Sequence, residues 1–342
     1  MTQRSFTARR LAVSTLKACA LGALALLPGC MLEKQDDAGE YREALPRSEA
    51  VLVAGPEADA SAPSATHTAS EGSLRPLERT DFAKWYGFTR AVRGGVNAVT
   101  ASVLGSVWLV VHSEPSALKD GEATWGPYTD SLEPVTYRFR VTRVAEAEYD
   151  YVLEGRPKAS RSDEDYRSVL EGHGFGKLHE QHGEGEFTID LSVARELDPV
   201  GHEPDSGTLH IAHQLPRGLG PGSLPRTIEA EVTPDPSVNR ESYTVRSVAN
   251  EDGTGSLHVV AQSDVDDSKA TALENVTVDS RWRADGAGRA DVVISGGDLP
   301  ADPGEVAAVE CWGADFARSF YADTVSFEPA EGEASACVYG AP

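Results

Sequence analysis

From Val135 onward the apolar residues of this chain recur at every second position. Val135, Tyr137, Phe139 and Val141 alternate with Thr136, Arg138, Arg140 and Thr142, the pattern of a half-buried antiparallel strand. Tyr149, Tyr151 and Leu153 repeat it after a short turn, followed by Phe187, Ile189 and Leu191, then Leu209 and Ile211, then Ile228 and Val232. Residues 242–249 and 256–262 flank Glu251-Asp252-Gly253-Thr254-Gly255, while 273–284 and 289–295 flank Asp285-Gly286-Ala287-Gly288. Both gaps read as glycine-rich hairpin turns, where positive φ costs little. Strands near 305–312, 318–327 and 334–339 complete the series. Short strands joined by turns, with a single long helix, predict a mainly β fold. It is a large antiparallel meander, either a curled sheet or a barrel, with one long N-terminal helix packed on it.

The helix is written in the spacing of Phe82, Trp85, Tyr86, Val92, Val96, Val99, Val103, Val107 and Val110, mostly three or four apart. That spacing predicts a helix over about 81–111, capped by Thr80 or Asp81, weakened or kinked at Gly94-Gly95 and ended before Pro115. Its polar face lacks the basic richness of a helix lying on a membrane, so it is expected to pack on the sheet. The β domain then occupies 80–342, about 263 residues, within reach of one large all-β domain or of two. A sub-boundary is expected near 216–226, at the run Pro216-Arg217-Gly218-Leu219-Gly220-Pro221-Gly222. No repeat is regular enough for a solenoid or propeller.

Residues 30–79 contain few large apolar side chains and many Ala, Ser, Pro, Glu and Asp. Such a segment buries too little surface to offset its ordering entropy. It reads as a disordered tether, with a root-mean-square span of about 35–40 Å. Val51-Leu52-Val53 is its one apolar island, a short strand or a docking site.

Ahead of the tether, Arg4, Arg9, Arg10 and Lys17 precede an apolar run from Ala18 to Leu27, closed by Leu27-Pro28-Gly29-Cys30. Basic residues followed by a short apolar run describe a secretory signal over 1–29, too short to span a bilayer as a helix. The tetrapeptide resembles the bacterial lipobox, with Pro28 the less usual residue at its position. The resemblance implies that Cys30 becomes the mature N-terminus and carries acyl chains, palmitate among them. Several chains on one residue give stable anchoring. An ordinary signal cut near Ala20 or Ala25 is the alternative, and Arg9-Arg10 leaves a twin-arginine route open. Met31 is not the Asp that retains many lipoproteins at the inner membrane, so the outer membrane is the expected location.

Loss of residues 1–29 removes four cations and no acid, leaving 27 cations against 54 acids, a net charge of −27. Such a chain repels phosphate backbones, which argues against nucleic-acid binding. Of the four cysteines, Cys19 leaves with the signal and Cys30 is acylated, so Cys311 and Cys337 remain. In an oxidising compartment two remaining thiols most simply form one disulfide.

Chemical motifs are weak. His179-Glu180-Gln181-His182 falls one residue short of a zincin signature, which needs two His four apart on a helix. It lies among Gly172, Gly174, Gly176, Gly183 and Gly185, and reads as a solvated loop. His210 and His213 sit on an expected strand, where residues three apart point to opposite faces. A composite metal site from His173, His179, His182 or His202 is the sharper alternative. Ser116-Ala117-Leu118-Lys119 has the S-x-x-K spacing, but so does Ser14-Thr15-Leu16-Lys17 in the signal, and no partner motif follows. Asp264, Asp266 and Asp267 with Glu251 and Asp252 match no Ca²⁺ loop and read as solvated turn acids. Trp125-Gly126-Pro127-Tyr128 reads as a core plug where helix hands over to sheet.

The run from Trp125-Gly126-Pro127 through Tyr137-Arg138 to Leu153-Glu154-Gly155-Arg156-Pro157-Lys158, with Glu310-Cys311-Trp312, resembles bacterial lipoproteins of an uncharacterised β-meander type. That resemblance implies the fold and the anchor and no activity. The expectation is a lipid-anchored envelope protein, attached to the membrane through Cys30, acting as a non-enzymatic binding or scaffold module, its partner a protein or an apolar ligand. No cofactor, metal ligand or catalytic residue is assigned. The alternatives are a carrier with an apolar-ligand pocket, and a hydrolase joining His179 or His182 to Asp163 or Asp165.

Overall fold

The computed structural model describes residues 38–56, 83–202, 206–216, 225–238, 240–264, 272–326 and 328–340. Their contacts divide into two compact units, one holding 53–95 and 241 onward, the other 96–240 together with residues up to 52. The signal segment, Cys30, and residues 57–82 lie outside the described residues, as do the expected caps Thr80 and Asp81 and most of the expected sub-boundary at 216–226. The first described elements are α1 (Gly39–Glu43) and a 3₁₀ turn (Ser48–Val51), followed by α2 (Lys84–Val111). The long helix is therefore not the N-terminal element, and it runs through Gly94-Gly95 without a break.

Among the described residues fifteen strands follow in strict sequence order. The unit containing residues 96–240 carries β1 (Ala117–Lys119), β2 (Glu122–Tyr128), β3 (Val135–Ala145), β4 (Glu148–Pro157), β5 (Arg167–Lys177), β6 (His182–Asp190), α3 (Leu191–Leu197), β7 (Thr208–Leu215) and β8 (Arg226–Thr233). The other carries β9 (Ser242–Ala249), β10 (Gly255–Ser263), β11 (Glu274–Trp282), β12 (Gly288–Gly296), β13 (Glu305–Trp312), β14 (Arg318–Asp323) and β15 (Glu331–Gly332). Consecutive strands in each unit pair antiparallel. Among the described residues β1 pairs only with β2 and β15 only with β14, so the meander is open rather than a closed barrel.

Three expectations need correction. The glycine-dense segment around 172–185 is two strands, β5 and β6, joined by the 3₁₀ turn Leu178–Glu180. Strand character ends at Asp190, whose carboxylate accepts from the Val193 amide at 2.8 Å and starts α3, so Leu191 is helical. Residues 334–339 add no strand. They run on from a short 3₁₀ turn (Ala334–Ala336) to Cys337, and the Tyr339 and Gly340 carbonyls accept from Arg289 and Arg281.

The tether also needs correction over 38–56. Tyr41, Leu45, Ala50, Val51 and Val53 are buried there, each at most 7 % exposed. The island at 51–53 is a docked segment. Ala50 packs with Leu178 and Leu215, and Arg226 donates to the Glu49 carbonyl at 3.0 Å.

In the unit containing β9–β15 the inner face is set by register. One cross-strand row reads Ser247, Leu257, Ser280, Ala290, Glu310. Its polar members carry the docking contacts. The Ala54 amide donates to Ser247 Oγ at 3.0 Å, Thr89 Oγ1 meets Ser280 Oγ at 2.8 Å, and Glu310 receives the first amides of α2. The next row alternates Gly255, Trp282, Gly288 and Trp312. Each indole lies over the neighbouring strand's glycine, where a Cβ would collide with the ring, an arrangement in which an aromatic covers a bare stretch of sheet.

Candidate functional site

The two cysteines left for pairing are joined: Cys311 and Cys337 form a disulfide with Cα atoms 5.4 Å apart. Cys311, wholly buried, points to the sheet face opposite Glu310. The bond therefore fastens the C-terminal segment across that face, beside Arg281, whose guanidinium lies 5.4 Å from the Tyr339 ring.

Glu310, like Glu274 in the same unit, has none of its surface exposed. It accepts from the Lys84, Trp85 and Tyr86 amides at 2.8, 2.6 and 3.4 Å, and from Arg318 at 2.9 Å. A carboxylate at a helix N-terminus meets the unsatisfied amides and the positive end of the dipole. Burial pushes its pKa up, while Arg318 and the three amides pull it back. Arg318 bridges on to Glu328, which also pairs with Lys84. Phe316 completes the socket: it takes positive φ (62°), stacks on Tyr86 at 4.4 Å, and its carbonyl accepts from the Ala83 amide. Sequence reasoning looked for a local cap and missed this one, which comes from a residue 226 positions away.

In the other unit the inner face of β4–β7 has a glycine floor. Gly172 lies under the Tyr151 ring, and Gly185 lies 3.0 Å, at its Cβ position, from His213 Cε1. His213 is 4 % exposed, and among the described residues neither ring nitrogen has a hydrogen-bond partner. Burial lowers its pKa to about 4, so the ring is neutral near pH 7. The Tyr151 hydroxyl and Thr100 Oγ1 are likewise buried without partners among the described residues. Burial raises the Tyr151 pKa, with Glu186 adding to the effect.

The motif residues are dispersed. His210 is half-exposed and bonds Thr188 at 3.0 Å, on the face opposite buried His213, as strand parity requires. His173 on β5 bonds Asp150 at 2.7 Å and lies 3.3 Å from Glu148, and His179 meets Arg47 at 2.8 Å. Asp163 and Asp165 precede β5 while His179 and His182 follow it. Eleven strand residues, about 35 Å, separate them, so the hydrolase constellation is not assembled. Glu251 and Asp252 precede β10 and Asp264 follows it, again at opposite ends; Asp266 and Asp267 lie outside the described residues. Among the described residues no group of three or more His, Cys, Asp or Glu is placed to hold a metal ion. The Ser116 hydroxyl donates to the Thr124 carbonyl at 3.1 Å. Trp125 is fully buried and donates to the Ser113 carbonyl just after α2, as a core plug would, whereas Tyr128, whose hydroxyl meets Ser113 Oγ, is 40 % exposed and stands outside the plug.

A recess near the start of the described chain is lined by Arg42, Leu45, Arg47, Trp108, Val111 and His179. Its volume of about 10 Å³ is that of one water at most. Helix α2 is the one described helix long and apolar enough to cross a membrane by length and composition. Thr89 and Thr100 are nonetheless wholly buried against protein. Comparison with protein-family models, curated proteins and solved structures finds no match to this chain.

Proposed function

We propose that this chain is an exported lipoprotein, held through acylated Cys30 to the envelope at the outer membrane, whose β-meander is a non-enzymatic binding or scaffold module. The Cys311–Cys337 bond carries the reading. With Cys19 removed and Cys30 acylated, it leaves no free thiol, which suits an oxidising compartment. The open meander and the docking of its polar residues into structural contacts support a module that presents surface rather than a reaction centre. The 10 Å³ recess lends the carrier alternative no support.

Intact mass measured on protein extracted from its own envelope tests this. The expected species begins at Cys30, carries acyl chains, and loses one disulfide on reduction. A Cys30→Ala variant is expected to leave the membrane fraction. An unacylated mature chain overturns the anchor, and a free Cys311 removes the compartment argument. Loss of that bond would cost about 3–4 kcal/mol by loop-closure entropy.

A further inference from the structure

Docking of residues 38–52 changes what an anchor at Cys30 would impose. Eight residue steps separate Cys30 from Ala38, which is already buried. Fully extended, eight residues span at most about 28 Å, well short of what a 49-residue tether would allow. Among the contacts of the docked segment, one pair reaches the end of the long helix: Arg42 Nε donates to the Val111 carbonyl at 2.5 Å, and its Nη2 donates to the Ser113 carbonyl at 3.0 Å. That is the C-terminal end of α2.

The same end carries an exposed apolar pair, Trp108 at 47 % and Leu109 at 63 %. Half-buried Val110 follows in the chain, and the Trp108 ring lies on His112 at 3.9 Å. Indole combines an apolar body with a polar N–H, and settles where hydrocarbon meets headgroup. Arg42 and Arg47 flank the recess beside Trp108, but Glu40 and Glu43 on α1 lie close by in sequence. Attraction to anionic lipid is therefore not the driver for a chain whose mature form carries 27 cations against 54 acids, which leaves the apolar pair.

We propose that Trp108 and Leu109 dock into the interfacial zone of the bilayer that holds the Cys30 acyl chains, so that this end of the unit faces the lipid. The proposal rests on the lipoprotein reading, which supplies the membrane. The anchor brings the patch within reach, and the patch gives the otherwise swivelling body one orientation.

The test uses the full-length, envelope-extracted protein in phosphatidylcholine vesicles, with Leu109→Cys or Leu132→Cys carrying a fluorescent label. Leu132 is 93 % exposed and precedes β3, whose other end meets Glu40 of α1 through Arg143. Acyl-chain spin-labelled lipid is expected to quench the label at 109 several-fold more than at 132. The Cys30 mass is read from the same sample. If Cys30 is acylated and the two labels respond alike, the docking is wrong and the anchor stands. If Cys30 carries no lipid, anchor and docking fall together. A label at 109 shielded from aqueous quencher but untouched by lipid quencher reports a protein partner, which also overturns the proposal.

Discussion

Glu310 and Arg318 meet at 2.9 Å across the β13–β14 pair, with the Glu310 carboxylate wholly enclosed and the Arg318 side chain 11 % exposed. The pair does two things together. Arg318 neutralises a buried charge, and the charge in turn answers the three leading amides of α2.

Glu310→Ala removes the enclosed partner of Arg318, leaving that guanidinium to Glu328 at 2.8 Å, and leaves those amides without an acceptor. Breaking one side of a buried pair costs about 3–5 kcal/mol. Glu310→Gln keeps one oxygen for the amides but loses the charge and turns the other acceptor into a donor, so its cost is expected to be smaller than that of Ala without vanishing. Urea unfolding followed by tryptophan fluorescence measures both. An Ala variant within about 1 kcal/mol of the parent, the worth of an exposed pair, would mean that the helix start is held by Tyr86 and Phe316 instead.

His213 makes stability depend on pH. Its folded pKa of about 4 lies below the ordinary value of 6.5, so the unfolded chain binds the proton more readily. Stability from the neutral ring is complete above pH 6.5 and is lost as the pH falls toward 4, by about 3 kcal/mol. His213→Leu removes two unsatisfied buried nitrogens with little change in volume. It is expected to stabilise the unit at pH 7 and to flatten the fall between pH 6.5 and 4. A parallel pH profile in parent and variant would assign the acid sensitivity to other groups.

The meander was legible because its strands are buried on one face. Val135 to Val141 alternate in sequence, and Phe139 and Val141 are wholly buried beside half-exposed Arg138 and Arg140. The Cys311–Cys337 bond followed from elimination. What stayed hidden depends on partners distant in sequence. Tyr41 and Leu45 are isolated apolar residues in an acidic stretch, and nothing local says that the body offers them a seat. The cap of α2 sits on β13. The turn repeat was legible but overlooked: Asp252, Asp285 and Asp315 each accept the amide two residues on, with Gly253, Gly286 and Phe316 in the positive-φ position. Phe316 masks the likeness by standing where the other two turns have glycine.

Glycine richness around 172–185 misleads in the same way, because it reads as loop composition when it is the imprint of a neighbour. A Cβ on Gly172 would overlap the Tyr151 ring and come within 2.6 Å of its hydroxyl. Gly172→Ala is therefore expected to destabilise by about 1–3 kcal/mol through overpacking. Tyr151→Leu alone is also destabilising, since it empties the space over the floor. Combined, the two changes should cost less than their sum, with a coupling of about 0.5–3 kcal/mol. Denaturant unfolding of all four proteins closes the cycle. Strict additivity would mean that Gly172 answers to the backbone of β5 itself, and the argument that Tyr151 requires a glycine beneath it would fail.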